Sequence, residues 1–309
     1  MGREVAGSTM HKSDLIDIMV EYQKYLEESG LSMVTIKSYV SEIKSYGFWL
    51  GCARTRPLLE GTGDDIEDYC RELVAEKAHS AATVNRRLQS IRKFYRYALQ
   101  VGLVQEDPSL GLKLLPQPKS QARKGLSEPE IERLLEAVRQ GPPRLARRDN
   151  AIVQLMLHTG IRVGELTGVR VSEVSLSEEQ GVLTVRGQVA GQGREIPLNA
   201  SLRQAIVAYL DERATSEDDH LFLSRKGSPL SVRSVQRLIN SYARAAGLEG
   251  VSTYTLRQTC GELMLRDTSD LSLVARVMGH KRLETAIKYI LPRQEDLTEV
   301  AEKSSLNLA

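Results

Sequence analysis

The chain has 309 residues, 41% hydrophobic and 27% charged, with a formal net charge of +2. That length and balance fit a globular protein of about two domains and exclude disordered or fibrous classes. No apolar run reaches the roughly 18 residues of a membrane span, and polar Met1–Asp14 lacks a secretory stretch. The three cysteines, Cys52, Cys70 and Cys260, are too scattered for a disulfide framework, and the five histidines show no ligand spacing. The expectation is a cytoplasmic protein with no structural metal.

Residues 1–12 read as a flexible lead-in and residues 13–106 as a helical domain. Leu15, Ile18, Met19, Tyr22 and Leu26 recur at helical spacing before a stop at Gly30. A second helix starts near Ser32 and carries Ile36, Tyr39, Val40 and Ile43; a third spans Asp64 to Ala75. A fourth, capped by Ser80 and ended by Gly102, turns Val84, Leu88, Ile91 and Phe94 inward. It also carries Arg86, Arg87, Arg92, Lys93 and Arg96, and no acidic residue falls between Ser80 and Gln100. Such a cluster is either a solvated face or an electrostatic footprint for a phosphate backbone.

Residues 107–124, with Pro108, Pro116, Pro118, Lys119, Arg123 and Lys124, read as an exposed linker that offers Lys124 to DNA. Ser127-Glu128-Pro129-Glu130 has the form of a capping box and opens a second region, 125–292. There an apolar helix over Asn150–His158 stops at Thr159-Gly160. Val182–Val185 and Glu195–Leu198 read as strands around the turn Gly187–Gly193. Helices follow at Ser201–Arg213, Val232–Ala246, Leu256–Leu265, Leu271–Val277 and Leu283–Tyr289. Arg233, Arg237 and Arg244 share one side of the helix Val232–Ala246 and are candidates for DNA contact. Residues 293–309 form a tail with a short apolar face at Leu297, Val300 and Ala301.

Four residues carry the chemistry. Arg162 follows Thr159-Gly160-Ile161, Arg257 follows Thr255-Leu256, His280 closes Met278-Gly279-His280, and Tyr289 comes nine residues later. Cutting a phosphodiester needs a nucleophile, cations on the nonbridging oxygens and a proton for the leaving oxygen. A tyrosine supplies the first, guanidinium forks the second, and an imidazole can handle protons. This pattern resembles the tyrosine recombinases, the family of phage integrases and Xer-type resolvases.

The resemblance implies a mainly α fold with a small β-sheet: a helical core-binding domain joined to a mixed α/β catalytic domain of tyrosine recombinase type. It implies Tyr289 as nucleophile, Arg162 and Arg257 on the scissile phosphate, and His280 assisting proton transfer. Double-stranded DNA would be the partner. Assembly would be a homo-tetramer on paired sites or a hetero-assembly with a second recombinase, the tail docking on a neighbouring subunit. No metal or nucleotide cofactor is required. Two positions depart from the family pattern: Gln188 stands where a hairpin lysine is usual, and Tyr254 where a histidine usually precedes the second arginine. Gln258 also replaces a common histidine. Lys226, Lys281 and Arg194 are the candidates to compensate. The expected activity is site-specific DNA cleavage and rejoining, reduced by those replacements; the rival reading is an architectural DNA-binding partner on the same fold.

Overall fold

The structure is a computed structural model that describes residues 12–117, 124–187, 193–213 and 217–280, with side chains from residue 16 onward. The chain divides into two compact units, Met1–Ser120 and Gln121–Ala309.

In the first unit four helices run α1 (Lys12–Glu28), α2 (Met33–Arg54), α3 (Gly63–Ala75) and α4 (Ala81–Gln100). Each later helix starts at a hydroxyl. The side chains of Ser32, Thr62 and Ser80 accept from Thr35, Asp65 and Thr83 amides at 3.3 Å, satisfying N–H groups that a helix start leaves open. Their apolar stripes meet in a core rich in rings: Tyr22, Tyr46, Trp49, Tyr69, Phe94 and Tyr95. Tyr22 and Phe94 meet edge to face at 5.2 Å, and the buried Tyr95 hydroxyl donates to the Leu58 carbonyl at 2.6 Å.

The basic residues of α4 are largely occupied within this unit. Arg86 Nη2 and Arg87 Nε reach the two carboxylate oxygens of buried Glu42 on α2 at 2.7 and 3.0 Å. Arg87 also donates to the Tyr69 hydroxyl at 3.0 Å, and Lys93 lies over the Tyr25 ring at 5.3 Å. Arg92 donates to the Leu112 carbonyl. Asn85 makes two bonds to the Leu115 main chain, at 2.8 and 2.9 Å. The segment read as an open linker is therefore strapped to α4 at residues 112–115. Arg96 is exposed.

The second unit is built around α6 (Pro143–Thr159), against which α5 (Glu128–Arg139), α8 (Ala200–Glu212) and α10 (Thr253–Thr268) pack. The capping box opens α5, the Glu130 carboxylate accepting from the Ser127 amide at 2.8 Å and its hydroxyl at 2.6 Å. Short helix α7 (Val163–Leu166) follows α6, then come β1 (Val174–Leu176), β2 (Gly181–Val185) and β3 (Arg194–Pro197) in an antiparallel sheet of that order. Leu183 stands opposite Val174 and Ile196, so the inward face of the sheet joins the core. Helices α9 (Val232–Ala245) and α11 (Leu271–Val277) complete the described part.

The mainly helical fold with a small sheet is thus as expected, with three differences. Helix α6 begins at Pro143 rather than Asn150, because a proline is well placed in a first turn and the charged stretch after it is satisfied locally. Buried Asp149 accepts from Arg148 at 2.8 Å and from the Tyr242 hydroxyl at 2.9 Å. Strand β1 adds a third member to the sheet, and α10 starts at Thr253, capped by Ser252. The expected helix Leu283–Tyr289 and the tail 293–309 lie outside the described residues.

Candidate active site

Two glycine turns organise the site. Helix α6 ends at Gly160 with φ +58°, and α11 ends in a turn at Gly279 with φ +64°. Both backbone conformations favour glycine, and a Cβ would crowd the end of a neighbouring side chain, 2.9 Å from Met278 Cε at Gly160 and 2.7 Å from Arg194 Nη1 at Gly279. These turns aim backbone carbonyls at the two arginines. Arg257, 7% exposed on the second turn of α10, donates from Nη1 to the Gly160 carbonyl and from Nη2 to the Met278 carbonyl at 2.6 Å. Arg162 donates from Nη2 to the Gly279 carbonyl at 2.8 Å. Carbonyl acceptors fix the direction of a guanidinium without cancelling its charge.

Glu165 is the hinge of the arrangement. It accepts from the Arg162 amide at 2.9 Å, from Arg162 Nη1 at 3.0 Å, and from both Nη atoms of Arg194 at 2.9 and 3.1 Å. Burial opposes its charge, but the Arg194 fork, the Arg162 amide and the charges of both arginines outweigh that and hold its carboxyl below the usual carboxylate range. Arg194 also donates Nε to the Val277 carbonyl at 2.7 Å. The sequence reading offered Arg194 as a substitute for the missing lysine; the structure commits its guanidinium to Glu165 and to the turn before His280.

His280 ends the described stretch, its amide bonded to the Ala275 carbonyl at 2.9 Å. With Arg162, Glu165, Arg194, Arg186 and Arg276 it lines an open cleft of about 830 Å³. Arg276 and Arg186 are additions that sequence reading missed. Arg276 lies in the last turn of α11, just before the Gly279 turn that carries His280, and that proximity in sequence is the signal that could have found it. Arg186 is paired with Glu173.

Tyr254 is 46% exposed on the first turn of α10. Gln258 is buried and donates to Glu262 Oε1 at 2.9 Å, while Glu262 accepts from the Gly125 amide at 3.1 Å. Lys226 lies in the turn between Leu223 and Pro229 and does not line the cleft. Arg233 and Arg237 are exposed on α9, opposite its buried Val235, Ile239 and Tyr242, and Lys124 is exposed ahead of α5. Gln188, Lys281 and Tyr289 lie outside the described residues.

A family profile described as "Phage integrase family" matches residues 124–295, and one described as "Phage integrase, N-terminal SAM-like domain" matches residues 19–102. The chain belongs to the phage integrase family. It is 32% identical over 280 residues to tyrosine recombinase XerD of Ralstonia nicotianae, covering 87% of each protein. It is 29% identical over 297 residues to tyrosine recombinase XerA of Pyrococcus furiosus, covering 94% of each. Among solved structures it resembles XerH site-specific recombinase bound to palindromic difH substrate in a post-cleavage complex, with a TM-score of 0.70 and 18% identity over 95% of this chain and 96% of that one. It also resembles a lambda integrase tetramer bound to a Holliday junction, with a TM-score of 0.69 and 20% identity over 89% of this chain and 76% of that one. These structural likenesses establish the fold. Membership of this tyrosine recombinase family assigns the chain to site-specific DNA recombination. Among the described residues no helix is long and apolar enough to cross a membrane.

Proposed function

We propose that this integrase-family chain cleaves and rejoins double-stranded DNA through a 3′-phosphotyrosyl intermediate on Tyr289, in integration, excision or resolution of a mobile element or replicon. The observation that carries the reading is the convergence of Arg162, Arg257 and His280, from three separate segments, on two adjoining turns. The phenol oxygen of Tyr289 bonds to phosphorus as the bond to O5′ breaks. The phenol proton passes to a base, for which His280 is the candidate, and the departing O5′ takes up a proton returned by that base or by solvent, so the proton count is unchanged. One phosphoester replaces another, so rejoining needs neither ATP nor a cofactor. Arg162 and Arg257 stabilise the charge that grows on the nonbridging oxygens, where most of the rate acceleration arises.

Arg233 and Arg237 on α9, Lys124, and the exposed Arg96 are proposed backbone contacts. Arg86, Arg87, Arg92 and Lys93 are weaker candidates because their side chains already serve the first unit. Assembly as a homo-tetramer on paired sites, or with a second recombinase, is proposed by analogy with the lambda integrase tetramer on a Holliday junction. With Gln188 and Tyr254 at two altered positions, the rate is expected to be lowered, by up to about 10²–10⁴-fold where a general acid is lost.

The test is a nicked suicide duplex carrying candidate sites from the DNA flanking the gene. A covalent adduct on a denaturing gel that disappears in Tyr289→Phe supports the reading. DNA binding without an adduct, with or without a partner recombinase, replaces it with the architectural reading that the two altered positions favour.

A further inference from the structure

We propose that Arg194 is a positioning residue that couples the β-hairpin to both halves of the cleavage site, acting through Glu165 and through the Gly279 turn. The inference deepens the recombinase reading above and rests on it. Arg194 begins β3, where it stands opposite Val185 of β2. Its side chain is only 14% exposed, and the guanidinium makes contacts in two directions. Toward α7 it grips Glu165 with both Nη atoms, at 2.9 and 3.1 Å. The same carboxylate receives the amide and Nη1 of Arg162. Toward α11 it holds the Val277 carbonyl at 2.7 Å and lies against Gly279, where a Cβ would come within 2.7 Å of Nη1 and 3.0 Å of Cζ.

The geometry explains why this residue must be arginine and its neighbour glycine. A planar fork can engage both carboxylate oxygens while Nε points to a third acceptor; an ammonium on a flexible stem has no such fixed set of directions. One carboxylate between two guanidiniums also leaves the trio cationic, so Arg194 lets Glu165 orient Arg162 while the site keeps positive charge for a phosphate. Without Arg194, Glu165 would turn wholly to Arg162 and pull it from the phosphate side. A shift of β3 would in turn move Arg162 and the His280 turn together.

The experiment measures single-turnover adduct formation on the suicide duplex for the parent, Arg194→Lys, Arg194→Gln, Glu165→Gln, the double variant Arg194→Gln/Glu165→Gln, and Gly279→Ala. DNA affinity and the thermal midpoint are measured beside it. Arg194→Gln is expected to slow adduct formation by about 10–100-fold, the scale of a misplaced catalytic group, with DNA affinity within about threefold. Arg194→Lys should recover little of that rate. The double variant should be no slower than the slower single, because both act through one contact. Gly279→Ala, which strains the left-handed turn as well as crowding the guanidinium, should also lower the rate.

An unchanged rate in Arg194→Gln overturns the inference. So does a rate loss matched by lost affinity or midpoint, or two losses that multiply in the double variant. A parent that forms no adduct overturns the recombinase reading and this inference with it. A parent adduct that Arg194→Gln leaves intact overturns this inference alone.

Discussion

The first unit and the turns around the cleft of the second use arginine in different ways. In the first, Arg86 and Arg87 converge on buried Glu42, Arg56 and Arg54 on Asp65, and Arg92 on a carbonyl of the segment that leaves the unit. There the guanidinium is a fastener, its charge mostly answered by a carboxylate. In the second, Arg257 is aimed by the carbonyls of Gly160 and Met278, and Arg162 shares one carboxylate with Arg194. Carbonyl dipoles and a shared carboxylate fix position there, and the Arg162–Glu165–Arg194 trio keeps a net positive charge. A count of basic residues along a sequence says where charge is; only the acceptor says whether it is available to a phosphate.

The sharpest way to break this contrast is to remove one arginine from each kind of setting. Arg257→Ala should slow adduct formation by about 10²–10³-fold while DNA binding changes little, as read by single-turnover gels beside an affinity measurement. A loss confined to folding would place Arg257 with the fasteners. Next in size is Glu42→Ala, which should destabilise the first unit by about 1–2 kcal/mol, a buried-pair loss discounted because Arg86 is largely exposed. Trp49 is the chain's single tryptophan and is buried in that unit, so urea unfolding followed by its fluorescence reads this change. The cleavage rate should stay within about threefold if the two units are independent in this respect.

A smaller effect separates the units by pH. Glu165 has its carboxyl held below its unfolded value of about 4.3, so its stabilising contribution is fully present above that pH and fades as pH falls through the lower, folded pKa. The deficit in thermal midpoint of Glu165→Gln should therefore be largest near neutrality and shrink as the pH drops below about 4. A deficit that grows on acidification would show that the charged form is not the one the site favours. The smallest expected effect concerns salt. Arg237→Ala should lower the slope of log affinity against log salt by about 0.9, the share of one phosphate contact. Arg86→Ala should lower it by less, because Arg86 already faces Glu42. Equal slopes would erase the distinction drawn between the two units.

Local signals in the sequence carried the architecture. Ser127 with Glu130 announced the start of α5, and the apolar spacing of Leu271–Val277 matched α11 as found. Where charge or brevity masked periodicity the reading fell short. Pro142-Pro143 and the arginines after it hid the first turns of α6, and β1 is only three residues long. Of the site, the residue types at positions 162, 257 and 280 were legible because each sits in a short motif. Their acceptors were not. Glu42 and Arg86 are 44 positions apart, and Arg257 and the Gly160 carbonyl 97, so no local pattern reports either pairing. The acceptors of Arg194 were hidden for the same reason, since they come from α7 and the end of α11.

Gly160 and Gly279 have a consequence for how such a site tolerates error. Each is left-handed, each would set a Cβ against the end of a neighbouring side chain, and each presents a carbonyl to one of the two arginines. Every missense change at either codon adds a Cβ, so neither has a conservative replacement, whereas Arg162 can at least be exchanged for lysine with its charge kept. The vulnerability of the site to mutation therefore extends to two residues with no functional group at all, and in a variant screen they should score beside the arginines they serve.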